Sequence, residues 1–416
     1  MRITMTEKID STFIQIIHPV CCGLDVHKDK ISACLLTVGK NGEEVHELRE
    51  FGTFTEELYD MEKWLVDNKC PVVAMESTGV YWRPIHNVIE NSMQVLLVNA
   101  RHIKNVPGRK TDLSDSKWLA GLLRHGLLKG SFIPPDHIRE IRELARLIKV
   151  YTESAADYKR RIHKLFITSN IKIDSVVSDL FGKTGRNLMD LLCKKSDITI
   201  EDIEANAKGS LKSKAKELHA SIQGFFKEHH RFQLIGMLKT ILTFEDQIAQ
   251  LNKRVTHLTQ EHEDLLNRLD AIPGIDKKSA QAIIGEVGIT LEEFACVAAF
   301  ASWAGLCPGN NESAGKRKSG RSPVRNHPLK TLLVQIAWAA IKTKGSYYKA
   351  KYYKLKAKRG AKKAIVAIAH RIGKAIYNII RMGILIGILV KIFLLAQRNK
   401  EPFIISRKKL IYLVLM

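Results

Sequence analysis

From Leu234 to Leu269 the apolar residues recur in alternating steps of three and four: Leu234, Met237, Ile241, Phe244, Ile248, Leu251, Val255, Leu258, Leu265 and Leu269. That spacing puts them on one stripe of an α-helix, and sustained over this length it is the pattern of a coiled coil. His262 is the polar member of the run. A polar residue in such a seam either sets register or is a tolerated imperfection. A second stripe with the same spacing passes through Ile138, Ile141, Leu144, Ile148, Tyr151, Tyr158 and Leu165. Between the two lies a polar, lysine-rich stretch, residues 170–232. The pair predicts a long helical hairpin over 136–265 with a smaller helical insertion at its tip. A chain of 416 residues accommodates two or three domains, so the hairpin separates a domain before it from one after it.

The part before the hairpin, 18–135, reads as α/β. Residues 20–38 form two short strands joined by a polar turn, and 46–54 add a third. Residues 55–68 are an amphipathic helix with Leu58, Met61, Trp64 and Leu65 on one side. "CPVVAMES" is a buried strand ending at Glu76, and "QVLLVN" at 94–99 is another. Three strands, helix, strand, helix, strand predicts a layer with a mixed sheet. A further helix is expected to start near Thr111, with Leu119, Leu122 and Leu123 as its apolar face.

The part after the hairpin, 266–382, reads as all-α. "LNRLDAIPGIDKKSAQAIIGEVG" has the order helix, Pro-Gly turn, helix, a helix-hairpin-helix pattern that can offer backbone N–H groups to a phosphate. A plain helical turn is the competing reading. Next comes "CPGNNESAGKRKSGRSPVRNHPLK", a basic loop, and then helices near 328–343 and 361–382. Between those helices "KGSYYKAKYYKLKAKRG" combines lysines with four tyrosines. It is either a nucleic-acid surface, with phosphate contacts and base stacking, or a solvated helix face. Residues 383–416 form an atypical apolar tail. Its run "GILIGILVKIFLLA" is shorter than the roughly 20 residues of a membrane span. A buried or partner-facing helix is expected there, and no membrane association.

Lys and Arg number 66 against 43 acidic residues, a formal charge of +23 with a pI of about 9.6. An excess of that size points to a polyanionic partner, first of all nucleic acid. The seven cysteines show no repeated C-x-x-C spacing. That fits a reducing cytoplasm and argues against a disulfide framework or zinc site. "MRITMTEKID" has no apolar stretch of a signal peptide, so export is not expected.

Four acids stand out by position. Asp25 lies inside an apolar strand, where a carboxylate is costly unless paired or bound to a cation. Glu76 ends the "VVAM" strand, and Asp112 and Asp115 share one face of the first turn of a helix. Each singly has a structural explanation; acids at a helix start complement the macrodipole. The order of acid on the first strand, acid on the fourth, then a helix with two acids resembles RNase H and RuvC-like nucleases. Carboxylate oxygens suit Mg²⁺ (or Mn²⁺).

The motifs "GLDVHKD", "AMESTGVYW", "KTDLSDSKWLA", "IPGI", "FASWAGLCPG" and "NNESAGKRKSGR" occur in this order along residues 20–382. Together they resemble the insertion-sequence one-ten family of DEDD transposases, the bridge-RNA-guided recombinases. The resemblance implies a RuvC-like domain whose metal ligands map to Asp25, Glu76, Asp112 and Asp115. It implies a helical hairpin through which subunits associate, and a C-terminal transposase domain whose serine nucleophile maps to Ser313. It further implies donor and target DNA and a structured guide RNA as partners. Dimers would assemble into a tetramer, with sites composed from two subunits, in a bacterial or archaeal cytoplasm near the nucleoid. The tail after 383 departs from the family pattern.

Residue chemistry alone leaves Ser313, Ser319 and Ser322 open as the nucleophile. A serine hydroxyl needs a base, a metal or preorganised charge, and the nearest downstream histidine is His327. What the stretch supplies is positive charge. Lys316, Arg317, Lys318, Arg321 and Arg325 can neutralise a scissile phosphate. "GKRKSG" does not meet the order of a phosphate-binding Walker loop. Two other readings remain at this level: a metal-dependent, structure-specific endonuclease that uses water, and a non-catalytic nucleic-acid scaffold.

Overall fold

A computed structural model describes residues 15–39, 43–77, 79–99, 115–308, 311–313, 316–319 and 327–383. The chain divides into two compact units, Met1–Ile133 and Pro134–Met416.

The first unit is built on β1 (Cys21–Val26), β2 (Ile31–Val38), β3 (Glu44–Phe51), β4 (Val72–Glu76) and β5 (Gln94–Val98). Its helices are α1 (Thr55–Asp67), α2 (Trp82–Ile89) and α3 (Asp115–Arg124). The sheet order is β3-β2-β1-β4-β5. β1 and β2 run antiparallel, as do β2 and β3; β1–β4 and β4–β5 are parallel. This is the mixed sheet expected from the sequence, and it fits an α/β, RuvC-like domain. β1 and β4 are near-continuously apolar because the sheet is covered on both sides. On one side Leu24, Val73 and Met75 pack with Leu58, Met61, Leu65 and Ile85 of α1 and α2. On the other, Cys21, Cys34, Val72 and Ala74 pack with Leu119, Ala120 and Leu123 of α3. β3 is an edge strand, mostly exposed and charged, which blunts edge-to-edge association.

Gly23 fixes how closely α3 approaches. A Cβ there would fall 2.3 Å from the Ser116 carbonyl oxygen and 2.5 Å from the Ala120 nitrogen. Only a residue without a side chain lets the helix backbone rest on β1.

The second unit begins with α4 (Asp136–Thr168), a helix of 33 residues, and α9 (Glu228–Leu258), of 31, packs along it. Tyr151 and Tyr158 of α4 both meet Phe244 of α9, with ring centroids 5.6 and 6.2 Å apart. The intervening stretch holds α5 (Ile173–Val176), α6 (Lys183–Lys194), α7 (Ile200–Asn206) and α8 (Ala215–Ile222). Its core, with Leu188, Met189 and Leu218, is shared with Ile162, Leu165 and Phe166 of α4 and Leu234 and Ile241 of α9. Arg186 and Lys159 both reach Glu245 of α9, at 2.6 and 3.2 Å, and these contacts lower the Glu245 carboxyl pKa.

The long 3-4 stripe does not continue as one helix to Leu269. α9 stops at Leu258, a 3₁₀ turn spans Gln260–His262, and α10 (Glu263–Asp270) follows. The stop has a local cause at Thr259, which is fully buried. Its hydroxyl donates to the Val255 carbonyl at 2.8 Å and accepts from Gln281 Nε2 at 3.0 Å. His262 therefore ends a turn and is not a seam residue.

α11 (Lys277–Val287) follows the Pro-Gly turn, capped by Asp276, whose carboxylate accepts from the Ser279 N–H at 2.9 Å. Gly274 in that turn has φ +90°, and a Cβ there would meet the backbone of Ile336 and Ala340 within 2.6 Å. The turn's glycine thus serves close packing. α11 is tied to α4 by a buried carboxylate. Arg146 grips Glu286 at 2.8 and 2.9 Å, and Arg142 donates to the carbonyls of Gly285 and Glu286. The remaining elements are α12 (Val297–Trp303), β6 (Asn311–Ser313), β7 (Lys316–Ser319), α13 (Pro328–Ala340), α14 (Tyr347–Arg359) and α15 (Ala361–Met382). Phe294, Phe300, Trp303 and Tyr377 form the aromatic centre of this region. Among the described residues no helix is long and apolar enough to cross a membrane; the apolar run beyond Gly383 lies outside them.

Candidate active site

Register brings two of the four acids together. β1 and β4 pair in parallel with Leu24 opposite Met75, so Asp25 and Glu76 stand level at the C-terminal ends of neighbouring strands. Both continue the alternation Cys21, Gly23, Asp25 and Val72, Ala74, Glu76, so both belong to the face that α3 covers. The direction of α3 supplies the third acid. Cys21 Sγ contacts the Ala120 carbonyl, and Gly23 lies against Ser116 and Ala120. Moving along β1 toward Asp25 therefore moves along α3 toward its first residue, Asp115. Three acids from three elements converge on one end of one face. Asp112 lies outside the described residues.

Asp25 is part-exposed, at 28% of its side chain, and its Oδ2 lies 3.2 Å from His27 Nε2. On the other side of β1, Asp25 pairs with Ser32 of β2, and Ser32 pairs with Glu50 of β3. Ser32 donates to Glu50 Oε1 at 3.4 Å and Lys30 Nζ donates to the same oxygen at 3.0 Å. That lysine holds the Glu50 carboxyl below the usual carboxylate range. A polar row thus crosses the sheet end: Glu50, Ser32, Asp25, Glu76. Sequence reasoning missed Ser32 and Glu50, because only strand register places them beside Asp25. His27, two residues after Asp25, was in view without a signal to single it out.

Among the described residues no group of three or more His, Cys, Asp or Glu is gathered closely enough to hold a metal ion. The donor chemistry nonetheless fits a hard divalent cation, because Asp25 and Glu76 offer carboxylate oxygens from strand ends and Asp115 offers them from the start of a helix. The nearby thiols do not compete as soft ligands. Burial pushes Cys21 up to about 12, Cys34 and Cys70 to about 11, and Cys22 well above its ordinary value, so all stay protonated at neutral pH.

The expected serine loop is in part a β-hairpin. β6 and β7 pair antiparallel, with Ser313 opposite Lys316, Glu312 opposite Arg317 and Asn311 opposite Ser319, and with a register shift between Asn311 and Glu312. Ser313 is the last residue of β6; Lys316, Arg317 and Lys318 belong to β7, and Ser319 ends it. Ser322, Arg321 and Arg325 lie outside the described residues. His327 packs edge-on against Trp303, with centroids 4.5 Å apart.

The tyrosine-lysine segment is helix α14, and its four tyrosines do not form one stacking face. Tyr352 is buried, edge-on to Trp338 at 6.0 Å. Tyr348 is half-buried, its hydroxyl pushed up to about 12 by that burial. Tyr347 and Tyr353 are the exposed pair.

Two family models match the chain. Residues 22–169 match the DEDD transposase domain of IS110 elements, a transposase model that spans Asp25, Glu76, Asp112 and Asp115. Residues 266–354 match the transposase model of the IS116/IS110/IS902 family, which spans Ser313 and the basic residues after it. Between them the two matches take in more than half of the chain. No curated protein matches it.

Proposed function

The chain is a transposase of the IS110 family, a DNA-recombining enzyme, and we propose that it cuts and rejoins DNA strands with Ser313 as nucleophile and Asp25, Glu76, Asp112 and Asp115 as metal-binding acids. The observation that carries this reading is the level pairing of Asp25 and Glu76 on adjacent parallel strands, with α3 delivering Asp115 to the same face. A bound Mg²⁺ or Mn²⁺ supplies charge stabilisation to phosphoryl oxygens during an in-line displacement. The rest is chemistry of the chain's own groups. The Ser313 oxygen forms a bond to the scissile phosphorus while the bond from phosphorus to the leaving sugar oxygen breaks, and the serine's hydroxyl proton passes through water to that sugar oxygen, which is released as a free hydroxyl. The phosphodiester energy stays in the serine–phosphate link. A hydroxyl of the new partner strand then attacks that link and releases serine, so rejoining needs no other energy source. Lys316, Arg317, Lys318, Arg321 and Arg325 neutralise charge on the phosphate as it builds. Rigid strand ends suit Asp25 and Glu76 to the task, because their positions are set by the sheet and not by loops.

The reading extends to partners. A formal charge of +23 accommodates more phosphate than one cleavage site presents, consistent with donor DNA, target DNA and a structured guide RNA held together by a homo-oligomer. The long pair α4 and α9 is the element through which dimers, and from them tetramers, would associate as a coiled coil. The α10–α11 hairpin is the candidate helix-hairpin-helix element.

The test is covalent trapping of protein on DNA. Wild-type chain and its Ser319→Ala variant should give adducts that survive denaturation. Ser313→Ala should give none, and Asp25→Asn should abolish strand cleavage. Undiminished adducts in Ser313→Ala would sink the nucleophile assignment. Metal-dependent nicking that survives Ser313→Ala but not Asp25→Asn would identify a hydrolytic endonuclease instead.

A further inference from the structure

Helix α14 has a surface pattern that the strand-cutting chemistry does not use. Between Glu312 and Glu401 the chain contains no acidic residue, so α13 to α15 carry cations only. Among the described residues no carboxylate pairs with Lys349, Lys354, Lys356 or Lys358. Burial first, then the like charges of Arg371 and Lys354, hold the neighbouring Lys351 ammonium below its usual range. Cations crowd cations here, and a bound polyanion relieves that repulsion.

The arrangement on the helix is specific. One face is docked, through Tyr352 and the half-buried Tyr348. The opposite face is exposed and consists of Ala350, Tyr353 and Ala357, spaced three and four apart and so in one stripe. Lys349 and Lys356 border that stripe on one side, and Lys354 and Lys358 on the other. The stripe has small residues at both ends, where the backbone can approach a surface closely, and one exposed aromatic between them; a row of lysines flanks it on either side, with the Lys356 ammonium 5.9 Å from the Tyr353 ring centroid. Thirteen residues make a rod of about 20 Å. A B-form major groove, about 12 Å wide, admits an α-helix and is lined by phosphates on both edges.

We infer that α14 docks in the major groove of duplex DNA, with Ala350, Tyr353 and Ala357 toward the floor and one lysine row on the phosphates of each strand. A helix laid on a single strand or on a flat anionic surface would use one row or both without regard to the stripe between them. The inference is independent of the serine and the carboxylates.

The experiment uses full-length Ser313→Ala protein with EDTA, so that no strand is cut, and measures binding to a duplex and to a single strand of the same sequence as salt is raised. Lys349→Gln/Lys356→Gln and Lys354→Gln/Lys358→Gln should each flatten the duplex salt slope by about two, one for each phosphate that is no longer neutralised. Ala357→Leu, which leaves the charge intact, should weaken duplex binding and leave single-strand binding unchanged. Equal losses on both DNAs, an effect of only one lysine row, or a harmless Ala357→Leu would overturn the groove. So would the same pattern of losses on anionic lipid vesicles, or failure of the parent protein to bind duplex.

Discussion

The acid end of the sheet and the serine hairpin are supported in opposite ways. Asp25 and Glu76 sit on strands hydrogen-bonded on both sides within a five-stranded sheet, covered by α1 and α2 below and α3 above. Ser313 sits on a strand of three residues whose one ladder partner is a strand of four. A lone two-stranded hairpin is marginal in water. The acids are therefore placed by the fold itself. The serine is placed by one short pairing, in which Ser313 stands opposite Lys316. A metal site needs fixed geometry before substrate arrives, whereas a nucleophile can be aligned by the phosphodiester that it attacks.

The largest expected effect separates the two. Gly23→Val forces a side chain into the backbone of Ser116 and Ala120, so α3 must shift away from β1. We expect a loss of about 3 kcal/mol or more together with strand cleavage, because Asp115 moves with the helix. Ser319→Ala, a change at the last residue of β7, should stay within about 0.5 kcal/mol. Urea unfolding followed by tryptophan fluorescence reports the first unit well, since Trp64, Trp82 and Trp118 belong to it. A small effect of Gly23→Val would mean that α3 is not held by β1, and the contrast between the regions would collapse.

The sequence showed this contrast only partly. Asp25 was legible because a charge inside "GLDV" has a cost that demands a reason, and Glu76 because it closes an apolar strand. Their adjacency was not legible, because pairing of β1 with β4 skips two intervening strands and a helix. The polar row through Ser32 and Glu50 was hidden for the same reason. The break at Thr259 was masked by an apolar spacing that runs on into α10, and the partner that Thr259 meets there, Gln281, is 22 positions away. In the sequence the serine hairpin has the look of a loop, because strands of three and four residues rich in lysine show no apolar alternation. The turn of Gly274 announced a helical hairpin, but not that its glycine packs against α13.

A middle-sized effect concerns the floor beneath the acids. Cys21, Cys34 and Cys70 are buried thiols whose pKa values rise to between about 11 and about 12. Unfolded, they ionise near pH 8.5, so above that pH the unfolded chain has released protons that the folded chain still holds. The contribution of these thiols to stability is full below about pH 8.5 and is lost as pH rises toward their folded values of about 11 to 12. Urea midpoints at about pH 8 and about pH 10.5 should differ in the direction of lower alkaline stability. Cys34→Ala should reduce that difference. Equal midpoints would show that the thiols reach solvent, and the sheet beneath Asp25 would then be less rigid than its packing indicates.

The smallest effect tests how far the acid end extends along the sheet. Glu50 is exposed, and its carboxyl is held low first by the hydrogen bond from Lys30 and then by that ammonium's charge. A depressed folded pKa contributes stability that is present above the unfolded value and is lost as pH falls through the folded one. Lys30→Gln should therefore raise the Glu50 titration toward the ordinary carboxylate range, seen in NMR titration of labelled Glu side chains. Global stability should barely change, because solvent and salt screen an exposed pair. If Glu50 moves and cleavage does not, the functional row ends at Asp25 and Ser32 is a spacer. If cleavage falls while folding is intact, the carboxylate end includes β3, and Glu50 helps to set the charge around Asp25.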